Sequence, residues 1–121
     1  MNMIEINDDK IDGESVCSAS HELIRGTLLL QEKWVMLIIH RLMEGPIGFC
    51  ELNRQAQGVN TTTLSQRLDL LEEAGLVSKT IDSYMPPRTS YELTEAGMAL
   101  KPVLDAIEQW SKKWLPEGRD R

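Results

Sequence analysis

The stretch from Cys50 to Gly75 constrains the fold more than any other part of the chain. It holds two apolar-faced segments with a very short gap between them, and each segment carries its own stop. Phe49, Leu52 and Ala56 mark the inner side of a short helix from about Cys50 to Gln57, which Gly58 ends. Asn60 is a residue type that caps helices, and from Thr61 to Ala74 the residues Leu64, Leu68 and Leu71 fall at i, i+4 and i+7 on one face, up to Gly75. A turn over 57–60 between two such helices is the spacing of a helix-turn-helix pair.

The flanking segments complete a recognisable order. Ser20 caps a helix over about 20–31 that contains Leu23, Ile24, Leu28, Leu29 and Leu30, with Gly26 weakening its middle. Lys33 to Met43 reads as a second helix, apolar on nearly every side through Trp34, Val35, Leu37, Ile38, Ile39 and Leu42, and therefore central and buried. Glu44-Gly45-Pro46 ends it. Leu76–Ile81 and Thr89–Leu93 read as two strands of a hairpin, and Pro86 and Pro87 stiffen the tip between them and keep it from pairing. Thr94 caps a last helix over about 95–114, in which Pro102 predicts a kink or a restart. The fold class is mainly α with a small β-hairpin (α+β), a winged helix-turn-helix with extra helices at both ends. Residues 1–15 are expected to form an acidic, loose arm and 16–121 the domain.

A chain of 121 residues, 41% hydrophobic and 26% charged, supports one domain with a core and excludes a two-domain enzyme. The net charge of -6 sits mostly in the arm: residues 1–22 hold six acids and one base, while residues 23–121 hold thirteen acids and twelve bases. A nearly neutral body can still present a basic face, so the charge does not exclude nucleic acid. No apolar run reaches 18 residues and the N-terminus lacks a basic start before an apolar stretch, so neither a membrane span nor a signal peptide is expected. Two thiols without disulfide-like spacing fit a reducing cytoplasm. Two Cys and two His without a C-x-x-C pair are too few for a zinc cage, and no metal or cofactor is expected. The catalytic parts are missing too. His40 reads as a core histidine, His21 has only Cys17 nearby as a nucleophile, and no phosphate loop or paired-carboxylate motif occurs.

With Leu64, Leu68 and Leu71 inward, steps of about 100° put Thr62, Gln66 and Asp69 outward, flanked by Thr63, Ser65 and Arg67. Short hydroxyls, an amide and a guanidinium can bond base edges or phosphates in a major groove. The helix start near Thr61–Thr63 also favours a phosphate through its free N–H groups and dipole. Lys79 and Arg88 flank the hairpin tip, where a cation reaches a phosphate or the minor groove. The candidate DNA-binding residues are therefore Asn60, Thr61, Thr62, Thr63, Ser65, Gln66, Arg67, Lys79 and Arg88. A plain solvated face is the other reading, and Asp69, Glu72 and Glu73 oppose DNA at the far end of the helix.

Four stretches resemble the HxlR-type winged helix transcription regulators of bacteria. They are Lys33-Trp34 with its apolar run closed by Gly45-Pro46, then Phe49-Cys50-Glu51-Leu52. Next comes Leu64-Ser65-Gln66-Arg67-Leu68 through Leu71-Glu72 to Gly75-Leu76-Val77, and last Pro86-Pro87 with Tyr91-Glu92-Leu93-Thr94 and Gly97. The likeness spans roughly residues 30–110, and Trp110 lies where the family often keeps a tryptophan. It implies a homodimer on a partly palindromic double-stranded operator, bound through helix 61–74 and the wing 82–89. Three departures stand out: Gln31-Glu32 replaces the usual Gly-Gly, Gly48 replaces an arginine, and Cys17 precedes Ser18 rather than the proline that follows a sensing cysteine in some relatives.

Dimerisation has its own support in the residues. Leu100, Val103, Leu104, Ile107, Trp110 and Trp114, with Leu23 and Leu28, supply more apolar surface than a three-helix core hides; the alternative is that both helices fold back over the subunit's own core. Cys50, at a helix start where the dipole favours a thiolate, and Cys17 are candidate redox-sensing residues; small-residue packing is the alternative for Cys50. An oxidant or small-molecule signal is thus a candidate partner, with Met36, Met43, Met85 and Met98 as candidate lining of a cavity. A winged helix that binds protein rather than DNA is the competing function.

Overall fold

The computed structural model describes residues 18–56 and 58–117. The acidic arm and Cys17 lie outside these residues. Side-chain caps start the helices that sequence chemistry marks. Ser20 Oγ accepts the Leu23 N–H at 3.0 Å and opens α1 (His21–Leu30). Asn60 Oδ1 accepts the Thr63 N–H at 2.7 Å and opens α4 (Thr61–Glu73). Thr94 Oγ1 accepts from Gly97 and donates to Gly75 O at 2.6 Å, tying the start of α5 (Glu95–Met98) to the end of α4. Each satisfies an N–H that the helix itself leaves unpaired.

Between α1 and α4 lie α2 (Val35–Leu42), β1 (Ile47–Gly48) and α3 (Phe49–Gln55); after α4 come β2 (Val77–Tyr84), β3 (Pro87–Leu93), α5 and α6 (Lys101–Trp114). The core gathers Val35, Ile39 and Leu42 of α2, Leu52 of α3, Leu64, Leu68 and Leu71 of α4, and Val77, Tyr91 and Leu93 of the sheet. Leu70 is buried as well, which the i, i+4, i+7 face alone does not indicate. α2 is buried on one side only: Leu37 and His40 are exposed, so the helix is not enclosed and His40 is not a core histidine.

The hairpin departs from the sequence reading in two ways. Its strands run to the tip, with Ser83 paired to Arg88 and Tyr84 to Pro87, and only Met85 and Pro86 turn the chain. Proline at a strand's first residue leaves the ladder intact, because its missing N–H is not needed there. A bulge near Asp82 interrupts the register between Ile81 and Ser83. The sheet also has a third strand, in the order β1-β3-β2, since Ile47 and Gly48 pair with Tyr91 and Ser90. The last helix restarts at Pro102: α5 stops at Met98 and α6 begins at Lys101, with proline in its first turn where no N–H is required.

Candidate nucleic-acid interface

The leucine side of α4 fixes which residues it can offer to a ligand. With Leu64, Leu68, Leu70 and Leu71 buried, Thr61, Thr62 and Gln66 are exposed and Thr63 and Ser65 are half-buried. Gly58, at φ +88°, makes the turn into this helix tight, a conformation that favours glycine. Two of the candidate residues are partly used in holding that turn. Asn60 caps α4, and Thr61 Oγ1 donates to Asn53 Oδ1 of α3 at 3.3 Å. Thr62 and Gln66 carry no such contact among the described residues.

Arg67 has different surroundings from Gln66. Its Nε donates to the Lys33 carbonyl at 2.9 Å and its Nη2 lies 4.0 Å from Glu32 Oε1, so it ties α4 to the link between α1 and α2. The far end of α4 exposes Asp69, Glu72 and Glu73. These acids share a shallow depression with Gln66, while the first turn of the helix presents threonines. On α3, the exposed Arg54 is held by Glu51, and this contact with Arg54, followed by one from Gln55, keeps the Glu51 carboxyl below its usual range.

The structure separates the two wing cations. Arg88 sits beside the tip, opposite Ser83, whereas Lys79 pairs with Tyr91 near the base of the sheet. At about 3.3 Å per residue this puts Lys79 some 16 Å along the strand from Tyr84. At the tip itself are Tyr84 (78% exposed), which the sequence does not single out, and Met85 (91% exposed), which it offers only as cavity lining. The signal for them is a place at or beside a two-residue turn, which Pro86-Pro87 masks in the sequence.

Cys50 is exposed on the first turn of α3 and lines a crevice shared with Asp82, Pro86 and Arg88 of the wing. A second, more apolar pocket of about 310 Å³ lies between α2, α3 and the turn before α4; none of Met36, Met43, Met85 or Met98 lines it. No group of His, Cys, Asp and Glu among the described residues is arranged to hold a metal, and no helix there is long and apolar enough to cross a membrane.

The proposed pairing residues divide into two sets. Leu100 and Leu104 pack against the protein's own core, and Leu28 is half-buried. Val103, Ile107, Trp110 and Trp114 lie at helical spacing on α6 and are exposed, as is Leu23 of α1. Pro102, Val103, Ala106, Ile107 and Trp110 form an apolar groove on that face.

Comparison with known proteins agrees with this architecture. Residues 29–119 match the family described as HxlR-like helix-turn-helix. An uncharacterised HTH-type transcriptional regulator of Methanothermobacter thermautotrophicus is 33% identical over 107 residues, covering 88% of this chain and 79% of that protein. The HTH-type transcriptional regulator YodB of Bacillus subtilis is 33% identical over 90 residues, covering 74% and 80%. The reduced form of YodB superposes with a TM-score of 0.74 at 30% identity, covering 83% of this chain and 98% of YodB, and its quinone-bound form with 0.72 at 29%, covering 79% and 100%. The reduced redox regulator HypR, at 24% identity and a TM-score of 0.70 over 76% of this chain and 91% of HypR, shares the fold. With its winged helix-turn-helix and a match over most of its length, the chain belongs to the HxlR-like helix-turn-helix family, whose members are transcription regulators rather than enzymes.

Proposed function

We propose that the protein is a cytoplasmic, sequence-specific DNA-binding transcription regulator that acts as a homodimer on a partly palindromic operator. The observation that carries this reading is the N-terminal half of α4, where Thr62 and Gln66 stand exposed on a helix anchored by buried leucines. Thr62, Thr63, Ser65 and Gln66 read base edges or sugar and phosphate in the major groove, with Asn60 and Thr61 setting the turn. Arg88, with Tyr84 and Met85 at the tip, meets the minor groove, and Lys79 lies too far back to share that contact. Arg67 acts by positioning α4.

The exposed face of α6, with Leu23, pairs two subunits; the two-fold then sets the reading helices about 34–36 Å apart, one DNA turn. An oxidant acting on Cys50 or Cys17 belongs to the same reading, supported by the exposure of Cys50 and by the quinone-bound form of the similar YodB. A duplex titration tests the core of the proposal. Thr62→Glu/Gln66→Glu places two carboxylates on the reading face without touching the core. Loss of duplex binding with an unchanged thermal melt is expected. Binding that survives both carboxylates contradicts it.

A further inference from the structure

The pocket between α2 and the turn before α4 has no part in the proposed duplex contacts, and its construction differs from that of a surface groove. Its volume of about 310 Å³ reaches the lower end of ligand sites, which run from about 300 to 1,000 Å³. Trp34, Leu37 and Ile38 come from the start of α2, Leu52 from α3 and Val59 from the turn. Leu37 is 64% exposed, an apolar wall with no cover of its own.

Trp34 connects this pocket to the reading helix. Its backbone lies at φ +79°, a left-handed conformation that is costly for a bulky side chain and persists only where the surroundings impose it. Those surroundings are visible. The preceding carbonyl, Lys33 O, accepts from Arg67 of α4. The indole edge lies alongside the turn, where a Cβ on Gly58 would stand in ordinary contact with Cη2 at 3.7 Å. One strained residue therefore touches the pocket, the turn that starts α4 and the link that holds Arg67.

We propose that this pocket is an effector site for a small, uncharged planar aromatic of one or two rings, whose binding weakens the hold on DNA. Aliphatic walls beside an indole favour a flat ring. Arg41 at the rim spends Nε on Gln55 at 2.6 Å and places Nη1 3.4 Å from Glu44, which leaves further guanidinium donors for a single hydroxyl or carbonyl oxygen. Arg41 is the one charged residue in the lining, and Glu44 beside it offsets its charge, which leaves little with which to draw an anion. A ring lodged against Trp34 and Val59 wedges the turn away from α2. That tilts α4 while the sheet keeps the wing in place, and the two contact surfaces lose their common register on a duplex. The ligand prefers the tilted state, which is the differential affinity that a population shift requires.

The regulatory half of this proposal rests on duplex binding, whereas occupancy of the pocket does not, so the test reads them separately. The full chain is titrated with 1-naphthol and followed in amide and indole NMR spectra. Saturable shifts are expected at Trp34, Leu37, Ala56 and Val59, and are expected to vanish in Ala56→Leu, which fills the pocket. If that variant does not fold, Leu37→Gln gives the same reading by making an exposed wall polar. Saturating 1-naphthol is expected to lower affinity for a bound duplex about fivefold or more, and to leave Ala56→Leu unaffected. Absent or non-saturating shifts overturn the site. So do shifts centred on Val103 and Trp110, or pocket signals that move on dilution alone, since a second copy would then be the occupant. Occupancy without any change in duplex affinity overturns the regulatory role.

Discussion

Gln66 and Arg67 are neighbours on α4, yet their surroundings differ. Gln66 is exposed and uncommitted, so Gln66→Ala is expected to cost about 1–3 kcal/mol of operator affinity and to relax preference at one base position, checked by titrating point-substituted duplexes. Arg67 bonds the Lys33 carbonyl, so Arg67→Ala is expected to show mainly in urea unfolding, at about 1–2 kcal/mol. Sequence gave both residues one role, because helical spacing reports direction and not the partner that a long side chain reaches. The same limit hid the exposure of Leu37 and His40, since a run of apolar residues does not say which side of the helix the core occupies. Tyr91 adds a pH dependence. Burial, and next Asp69 and Glu72, raise its hydroxyl above the ordinary value of 10.0. The folded state thus holds the proton more tightly than the unfolded chain; this stabilisation is complete below about pH 10 and is lost as pH rises through the raised value. Tyr91→Phe is expected to remove that share of the alkaline loss in thermal melts.

Among the elements, those with a capping residue were legible to within a residue or two: Ser20, Asn60 and Thr94 each start a helix where the sequence places one. Elements fixed by tertiary pairing were not. β1 is two residues long and exists because Ile47 and Gly48 meet β3, a contact with no local signature. Two glycines separate local from tertiary effects in energy. Gly26 lies in α1 with nothing near where a Cβ would stand, so Gly26→Ala is expected to stabilise by about 0.5–1 kcal/mol through helix propensity. Gly97 is buried in α5, where a Cβ would overlap the Leu76 carbonyl oxygen and crowd Leu93. Gly97→Ala is expected to destabilise by about 3 kcal/mol, because a backbone atom cannot step aside as a side chain can. Paired urea unfolding curves check both signs.

At the scale of the whole molecule, α6 is the feature that a single subunit does not explain. It buries none of its residues fully and exposes Val103, Ile107, Trp110 and Trp114 on one side. The sequence showed this excess of apolar surface but counted Leu100 and Leu104 within it, and these serve the protein's own core. On the proposed pairing, Trp110→Glu is expected to give a monomer in sedimentation equilibrium, with a duplex-binding salt slope roughly half that of the parent. The central claim, sequence-specific DNA binding by a two-fold dimer, is met most directly by selecting bound duplexes from a random pool and titrating the winner over a salt series. The account predicts a two-fold symmetric motif and an affinity that falls steeply as salt rises. Weak binding at low salt with no motif would contradict it and make this winged helix a surface for protein partners.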